Sequence, residues 1–182
     1  MKLNVLALGM LFAVITSQAQ NDSLPEGNLG KNEIKLNAPF LLAGILEPSY
    51  ERNLNKESSV GVSLLIPIDK NLDADINYYI SPYYRIFFGK KYAAGFFLEG
   101  FGMLNSIERS TSEFSNGVDP VIYKDKDVTD FALGFGLGGK WMTTGGFVFE
   151  LNGGIGRNLF NNSDDGDYTI VAKAGFNLGY RF

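Results

Sequence analysis

The sequence predicts an all-β protein, an eight-stranded antiparallel up-and-down transmembrane β-barrel. Three observations lead to this class: apolar and polar or small residues alternate over segments of about ten residues, the chain holds 22 glycines and 14% aromatic residues, and short and long connections follow each other. A period of two is the signature of a strand. Small barrels place aromatic residues at the membrane interfaces and glycines where the interior is tight.

The segment that ends the chain alternates most regularly. In a soluble sandwich its apolar face would look toward a core, whereas in a membrane barrel that face looks toward lipid. The apolar face holds Tyr168, Ile170, Ala172, Ala174, Phe176, Leu178, Tyr180 and Phe182. Comparable segments at 34–42, 76–88, 130–141 and 147–156, with weaker ones at 46–53, 58–68 and 93–106, bring the count to eight. An even count is typical of bacterial single-chain barrels.

The connections agree with this order of strands. Segments 54–57, 89–92 and 143–146 are short, whereas 69–74, 107–127 and 157–167 are longer and polar. Short periplasmic turns and longer extracellular loops are the rule in such barrels. The connection near residues 43–45 is the exception, since it is short on the outer side. Pro48, Pro67 and Pro82 would each remove a ladder hydrogen bond, so we expect them at bulges or rims.

The first nineteen residues predict a cleaved signal peptide. Lys2 precedes an apolar run from 3 to 15, and Ser17 and Ala19 supply the small residues at a cleavage site. We therefore expect residues 20–30 to be a flexible leader and 31–182 to be the barrel, in the outer membrane with both termini periplasmic. Ser23 lies in an Asp-Ser-Leu sequence that resembles a Bacteroidota O-glycosylation motif, and whether it is modified is left open.

Composition excludes several function classes. The chain has no cysteine and no histidine, which removes the commonest general base and metal ligand. Its net charge of −4 offers no basic field for nucleic acid. We predict no catalytic residues and no cofactor.

Charged residues on the non-lipid faces predict an ion-pair network inside the barrel. Eight strands enclose a space just wide enough for side chains to fill, and isolated buried charges are very costly, so these groups must pair. The network is predicted to contain Glu51, Arg85, Glu99, Glu150 and Lys173, with Lys35, Asp130 and Lys140 as further candidates. We expect Arg85 to pair with Glu99. A proton or small-ion path is the alternative role.

Three other motifs have simple structural interpretations. Residues 134–140 match the spacing of a phosphate-binding loop, but Trp141 replaces the required hydroxyl, which favours a glycine-rich strand. Asp164, Asp165 and Asp167 form a weak calcium candidate that is more typical of a solvated loop. An aromatic belt at the membrane interfaces is predicted from Tyr78, Tyr79, Tyr83, Tyr84, Tyr92, Trp141, Tyr168 and Tyr180.

The chain resembles small OmpA/OmpX-type barrels, and more narrowly a Bacteroidota family known as DUF3575. The stretches 31–37, 48–54, 58–62, 83–85 and 95–100 carry the resemblance, which covers most of 31–182. The ending 179–182 resembles the signal read by the barrel-assembly machinery, with Tyr180 and Phe182 as its key residues. The resemblance implies a fold and a location, with outer-membrane lipid and that machinery as partners, but no catalytic residue.

Four functions remain open at this stage. The first is a structural or accessory subunit of a larger outer-membrane complex. The second is a surface binding or adhesion protein that acts through the predicted extracellular loop 107–127. A narrow small-solute pore is a weaker hypothesis, and a membrane enzyme is the least supported because histidine is absent.

Overall fold

The computed structural model describes residues 30–69, 76–113, 122–160 and 169–182. The predicted signal peptide, the leader up to residue 29 and the calcium candidate Asp164, Asp165 and Asp167 lie outside these ranges. One short helix, α1, spans Ala38–Leu42 within the described part of the chain. The strands are β1 Asn32–Asn37, β2 Ile45–Leu46, β3 Pro48–Asn53, β4 Ser58–Pro67, β5 Ile76–Phe88, β6 Gly95–Glu113, β7 Ile122–Met142, β8 Phe147–Asn158 and β9 Ile170–Arg181.

The strands close into a barrel in which every neighbouring pair is antiparallel. β1 pairs with β3 on one side and with β9 on the other, where the register runs from Glu33 opposite Arg181 to Asn37 opposite Asn177. Only Glu47 separates β2 from β3, and both pair with β4, so together they form one strand of the wall. The wall therefore has eight strands, which confirms the predicted fold class.

The exposed and buried faces are inverted relative to a water-soluble protein. On β1 the Ile34 side is 56% exposed, whereas Glu33 and Lys35 are 0% and 1% exposed. On β8 Phe149 and Leu151 face outward and Glu150 is fully buried. Aliphatic and aromatic side chains cover the outside of every strand of the wall, a larger apolar surface than a soluble monomer exposes. The outside faces lipid, and the barrel is a transmembrane one.

The predicted strand 34–42 is wrong beyond Asn37. Alternation continues in the sequence to Leu42, but the chain turns into α1, in whose first turn Pro39 is well tolerated because its missing N–H would have no partner there. Asn37 is the last residue of β1, and its Nδ2 donates to the backbone oxygen of Ala174 at 3.1 Å. Ala174 lies outside the part of β9 that pairs with β1.

Within the described residues, no helix is long and apolar enough to cross a membrane.

The three prolines lie where a ladder bond is dispensable or replaced. Pro48 begins β3 and Pro67 ends β4. Pro82 lies inside β5, and the register with β6 places it opposite Gly102. Proline has no N–H to donate. The hydroxyl of Ser81 donates instead to the backbone oxygen of Gly102 at 2.9 Å, so a side chain replaces the missing bond.

The glycines of β7 make room for two phenylalanine rings from β6. A Cβ at Gly134 would lie 2.3 Å from Cζ of Phe101, and a Cβ at Gly138 would lie 2.5 Å from Cζ of Phe97. Both distances are far inside van der Waals contact. The segment that matched a phosphate-binding spacing is thus a strand with a thin inner face.

Two predictions about connections and aromatic residues are wrong. The predicted loop 107–127 is largely a hairpin, since β6 and β7 pair from Ile107 opposite Val128 up to Glu113 opposite Ile122. The part of this hairpin that extends beyond the wall needs no apolar face toward lipid, so its sequence lacks the alternation and resembles that of a loop. Tyr79 and Tyr83 point into the barrel, at 3% and 4% exposure, and so do not belong to the interfacial belt.

Candidate functional site

A layer of ionisable side chains fills the interior of the barrel. Every strand of the wall except β4 contributes to it, because residues at alternate positions point inward. The layer contains as many carboxylates as cations. The carboxylates are Glu33, Glu47, Glu51, Glu99 and Glu150, and the cations are Lys35, Arg85, Lys140, Lys173 and Arg181.

Arg85 is the centre of this layer. Its Nη1 lies 2.7 Å from Oε2 of Glu51 and 2.8 Å from Oε2 of Glu150, and its Nε donates to Oε2 of Glu99 at 2.7 Å. The guanidinium also lies 4.2 Å from the ring centroid of Tyr83 and 4.3 Å from that of Phe97. Planar, multiply donating contacts between aromatic faces are typical of buried arginine. One side chain therefore connects β3, β5, β6 and β8.

Two buried lysines extend the network from β1 and β7. Nζ of Lys35 lies 2.5 Å from Glu51 and 2.6 Å from Glu150. Nζ of Lys140 lies 2.9 Å from Glu33 and also contacts Glu51. Glu51 thus accepts from three cations. Charge-assisted bonds of this kind are about twice as strong as neutral ones, so each carboxylate in the layer is well satisfied.

Arg181 and Lys173 form the two ends of the layer. Arg181 donates from Nε to Glu33 at 2.7 Å and from its Nη atoms to the backbone oxygens of Tyr92 and Ala93 at 2.9 and 2.8 Å. It fixes the β5–β6 turn to the last strand. Toward the other end, Lys173 lies 3.1 Å from Glu99.

Glu47 joins the interior to the segment that interrupts the wall. It accepts from Nδ2 of Asn37 at 2.6 Å and from the hydroxyl of Tyr79, and its backbone oxygen accepts from the amide of Asn37. Asn37 and Glu47 flank residues 38–46. These bonds hold the two ends of that segment together at the wall.

Apolar side chains close the ion layer from both sides. Along β5 the inward residues run Phe87, Arg85, Tyr83, so the charged group lies between two aromatic ones. Phe87 packs with Phe97 and Ala93 near the β5–β6 turn. A second cluster at the far end contains Leu65, Tyr79, Tyr83, Phe101, Met103, Ala132 and Val171. The cavity lined by Glu47, Ser63 and Lys173 has a volume of about 10 Å³, roughly the space of a single water.

The structure brings all five predicted network residues, Glu51, Arg85, Glu99, Glu150 and Lys173, into one connected set. The expected pair between Arg85 and Glu99 is formed. Of the further candidates, Lys35 and Lys140 belong to the layer, whereas Asp130 lies toward the opposite end and accepts from the backbone amides of Phe131 and Phe160.

Sequence reasoning missed Glu33 and Glu47 and left Arg181 unassigned. Glu33 and Arg181 stand at the positions that continue the inward series of their strands, two residues from Lys35 and Gly179. Extending the alternation of β1 by one step would have found Glu33, whereas the alternation of the last segment already places Arg181 on its polar face without including it in the network. Glu47 interrupts two strands, so no alternation marks it.

A metal site has no support in the described residues, where no group of three or more acidic side chains is arranged to hold an ion. The calcium candidate Asp164, Asp165 and Asp167 lies outside them and stays a prediction.

The residues predicted as an assembly signal lie at the seam of the barrel. Tyr180 is 48% exposed and its ring packs edge-on against Phe147, with 5.7 Å between the centroids. Phe182 exchanges two backbone hydrogen bonds with Asn32. The terminal residues therefore contribute to closure of the wall, and their recognition by an assembly machinery stays a prediction.

A two-stranded hairpin extends beyond the wall at the end opposite the chain termini. β5 begins opposite Ile107 and β8 ends opposite Ala132, while β6 and β7 continue together to Glu113 and Ile122. Six residue pairs project past β5, or about 20 Å at roughly 3.4 Å per residue. In the described part of the chain no other strand pairs with either edge of these residues. Among the described residues both edges are therefore unpaired, and an unpaired edge can accept a further strand.

Comparison with known proteins adds one solved structure. No family model and no curated protein matches the chain, so the resemblance to DUF3575 stays a prediction. A solved structure of the outer-membrane protein Ail of Yersinia pestis in a phospholipid bilayer nanodisc is similar at 18% identity and a TM-score of 0.39. The match covers 84% of this chain and 99% of that one. The barrel itself is established by the strand register and not by this likeness.

Proposed function

We propose that this protein is a non-enzymatic outer-membrane barrel that anchors a contact surface for another protein, as an accessory subunit of a larger assembly. The observation that carries the proposal is the β6–β7 hairpin. It rises about 20 Å beyond the wall with two unpaired edges in the described residues. Free edges bind extended segments of a partner through backbone hydrogen bonds. The hairpin end is extracellular in this proposal, and both termini are periplasmic.

The filled interior supports a role in contact more than a role in transport. Arg85, Glu51 and Glu150 form short ion pairs across the lumen, and rings of Phe87 and Phe101 lie on either side of them. Such an interior gives the hairpin a rigid base. Outer-membrane lipid and, during insertion, the barrel-assembly machinery are the other partners that we propose.

The test is a deletion that shortens the hairpin and leaves the wall intact. Residues 109–126 are replaced by a two-residue Asn-Gly turn, so that Glu108 and Asp127 keep their register. We expect the barrel to fold and insert, and a partner recovered with the wild-type protein from native membranes to be lost. The control replaces residues within 161–167 by the same two-residue turn, and this variant should still recover the partner.

The same variants separate the accessory role from adhesion. If the partner is a host surface component, binding to cells falls while the membrane complex is unchanged. Partner recovery that survives removal of the hairpin, or that falls equally with the control deletion, would contradict the proposal.

A further inference from the structure

A groove runs along the lipid-facing side of the barrel near the β5–β6 turn. It has a volume of about 1110 Å³ and its walls are Phe96, Leu137, Trp141 and Leu151. Its floor is backbone, because Gly139 and Gly153 carry no side chain there. The two glycines stand opposite Leu151 and Leu137 in the β7–β8 register, so large and absent side chains alternate across the outer surface.

The two floor glycines differ in what covers them. A Cβ at Gly139 would lie 2.8 Å from the Trp141 ring, which folds across that residue. At Gly153 the nearest atom to such a Cβ is the backbone oxygen of Lys173 at 3.9 Å, so the space above it is open. The surface is therefore recessed at Gly153, and the indole of Trp141 bounds the groove at one end.

Two lysines stand at the mouth of the groove, on the side of the chain termini. Lys90 and Lys91 line it and follow Phe88 in the β5–β6 turn. The sequence has no acidic residue between Arg85 and Glu99. Neither lysine has an ion-pair partner among the residues that the structure describes. The mouth thus carries two positive charges that have no counterion among the described residues.

We propose that this groove binds one anionic phospholipid of the leaflet on the side of the chain termini. An acyl chain lies between Phe96 and Leu151 over Gly153, and Lys90 and Lys91 hold the phosphate-containing headgroup. The commitment to an anionic lipid follows from charge complementarity, since apolar walls alone would accept any acyl chain. This inference is independent of the hairpin and of any protein partner.

Trp141 makes the proposal directly measurable, because it is the only tryptophan in the chain and lies in the wall of the groove. The full-length protein is folded into phosphatidylcholine vesicles that contain a fixed mole fraction of brominated phosphatidylglycerol or brominated phosphatidylcholine. Bromine quenches indole fluorescence on contact. We expect the anionic lipid to be preferred at Trp141 by roughly five- to thirtyfold, the lower limit if one lysine attracts the anionic headgroup and the upper limit if both do.

Two variants with matched controls assign the effect to the groove. Lys90→Gln with Lys91→Gln should reduce the preference to about one, whereas Lys31→Gln with Arg52→Gln, which removes the same charge beside β1 and β3, should retain it. Gly153→Leu should fill the groove and reduce quenching by both lipids. Gly100→Leu is its control, because a Cβ at Gly100 has no atom within 4 Å and Gly100 does not line the groove.

Four results would overturn the proposal. An unchanged preference in the Lys90 and Lys91 variant, or an equal loss in its control, would mean that the headgroup is not held there. Equal quenching in the Gly153→Leu and Gly100→Leu variants would mean that no chain occupies the groove. Protection of Trp141 from both brominated lipids would mean that a second copy of this protein covers the surface instead.

Discussion

Arg85 shows how one side chain can hold several strands together in a layer of the interior that is ionic rather than apolar. It is 2% exposed and bonds carboxylates from β3, β6 and β8 while packing between Tyr83 and Phe97. Removing a partner from a buried ion pair leaves an uncompensated charge, which costs more than the pair contributes. The structural importance of Arg85 therefore comes from the three carboxylates that depend on it.

We expect Arg85→Met to lower the free energy of unfolding by about 3–5 kcal/mol, the usual cost of breaking a buried ion pair. Arg85→Lys should recover only part of this, because an ammonium cannot reproduce the planar, multiply donating contacts. Urea unfolding in lipid vesicles, followed by Trp141 fluorescence, measures both. Arg52→Met is the control, since Arg52 is exposed and surface changes rarely exceed about 0.5 kcal/mol. Equal stabilities for the Arg85 and Arg52 variants would refute the central role.

At the residue scale, the sequence identified which charges point inward and one of their pairs, Arg85 with Glu99, but not the other pairs. Alternation placed Glu51, Arg85, Glu99, Glu150 and Lys173 on inner faces, and the structure puts them there. Partners depend on how far each strand is shifted against the next around the barrel. That shift brings Lys35 of β1 to Glu150 of β8, 115 residues away, which no local pattern reveals.

At the scale of elements, the neighbouring strand β6 restricts which residues β7 can carry on its inner face. The inner glycines of β7 leave space for aromatic rings of β6. A Cβ at Gly154 on β8 would also lie 3.1 Å from the Phe101 ring. Glycine weakens a strand when nothing fills the space. Here the space is filled, and a side chain at these positions would displace an aromatic ring from the core.

We expect Gly134→Ala to destabilise the barrel by about 1–3 kcal/mol, since overpacking forces neighbours to move. The new Cβ would meet the Phe101 ring and also the backbone oxygen of Ile155 at 2.6 Å. Gly100→Ala, on the outer face of β6 with open space around it, should be neutral or slightly stabilising. Thermal unfolding of the two variants in the same detergent decides between them. A comparable loss in both would show that glycine is required for flexibility rather than for space.

At the element scale, the sequence predicted the strands that cross the membrane better than those that leave it. Alternation marks a strand only where one face meets lipid, so β6 and β7 beyond Ile107 and Val128 looked like a loop. The error at Ala38–Leu42 has the opposite cause. Apolar residues continue the alternation there, but they lie on α1, where Phe40 packs against the buried cluster of the far end and Leu42 is 91% exposed.

For the whole molecule, an interior filled by salt bridges and rings predicts that the barrel does not conduct ions. We expect no steady channel above background in planar lipid bilayers, with a water-filled porin as the positive control. Passage would require breaking the contacts of Arg85 with Glu51 and Glu150 at the same time. A steady conductance that grows with salt concentration would contradict this and revive the pore hypothesis.

At this scale the sequence predicted the architecture and its inverted faces, because both follow from a period of two and from turn spacing. It also predicted a lumen filled by ion pairs, but it could not predict the groove or most of the contacts that fill the lumen. Those depend on which side chains meet across strands that are far apart in sequence, as Leu137 and Gly153 do on the outer surface.

The seam between the first and last strands couples closure of the wall to completion of the ion layer. β1 and β9 share five residue pairs, whereas β8 and β9 share eleven. Yet β1 brings Glu33 and Lys35, whose counterions lie on β3, β7, β8 and β9. Without β1, Glu150 keeps Arg85 and Lys140 keeps Glu51, but each loses one ion pair, and Arg181 loses its carboxylate. Closing the wall and completing the ion pairs of the interior are thus one step, and a barrel left open at this seam is disfavoured because its buried charges are incompletely paired.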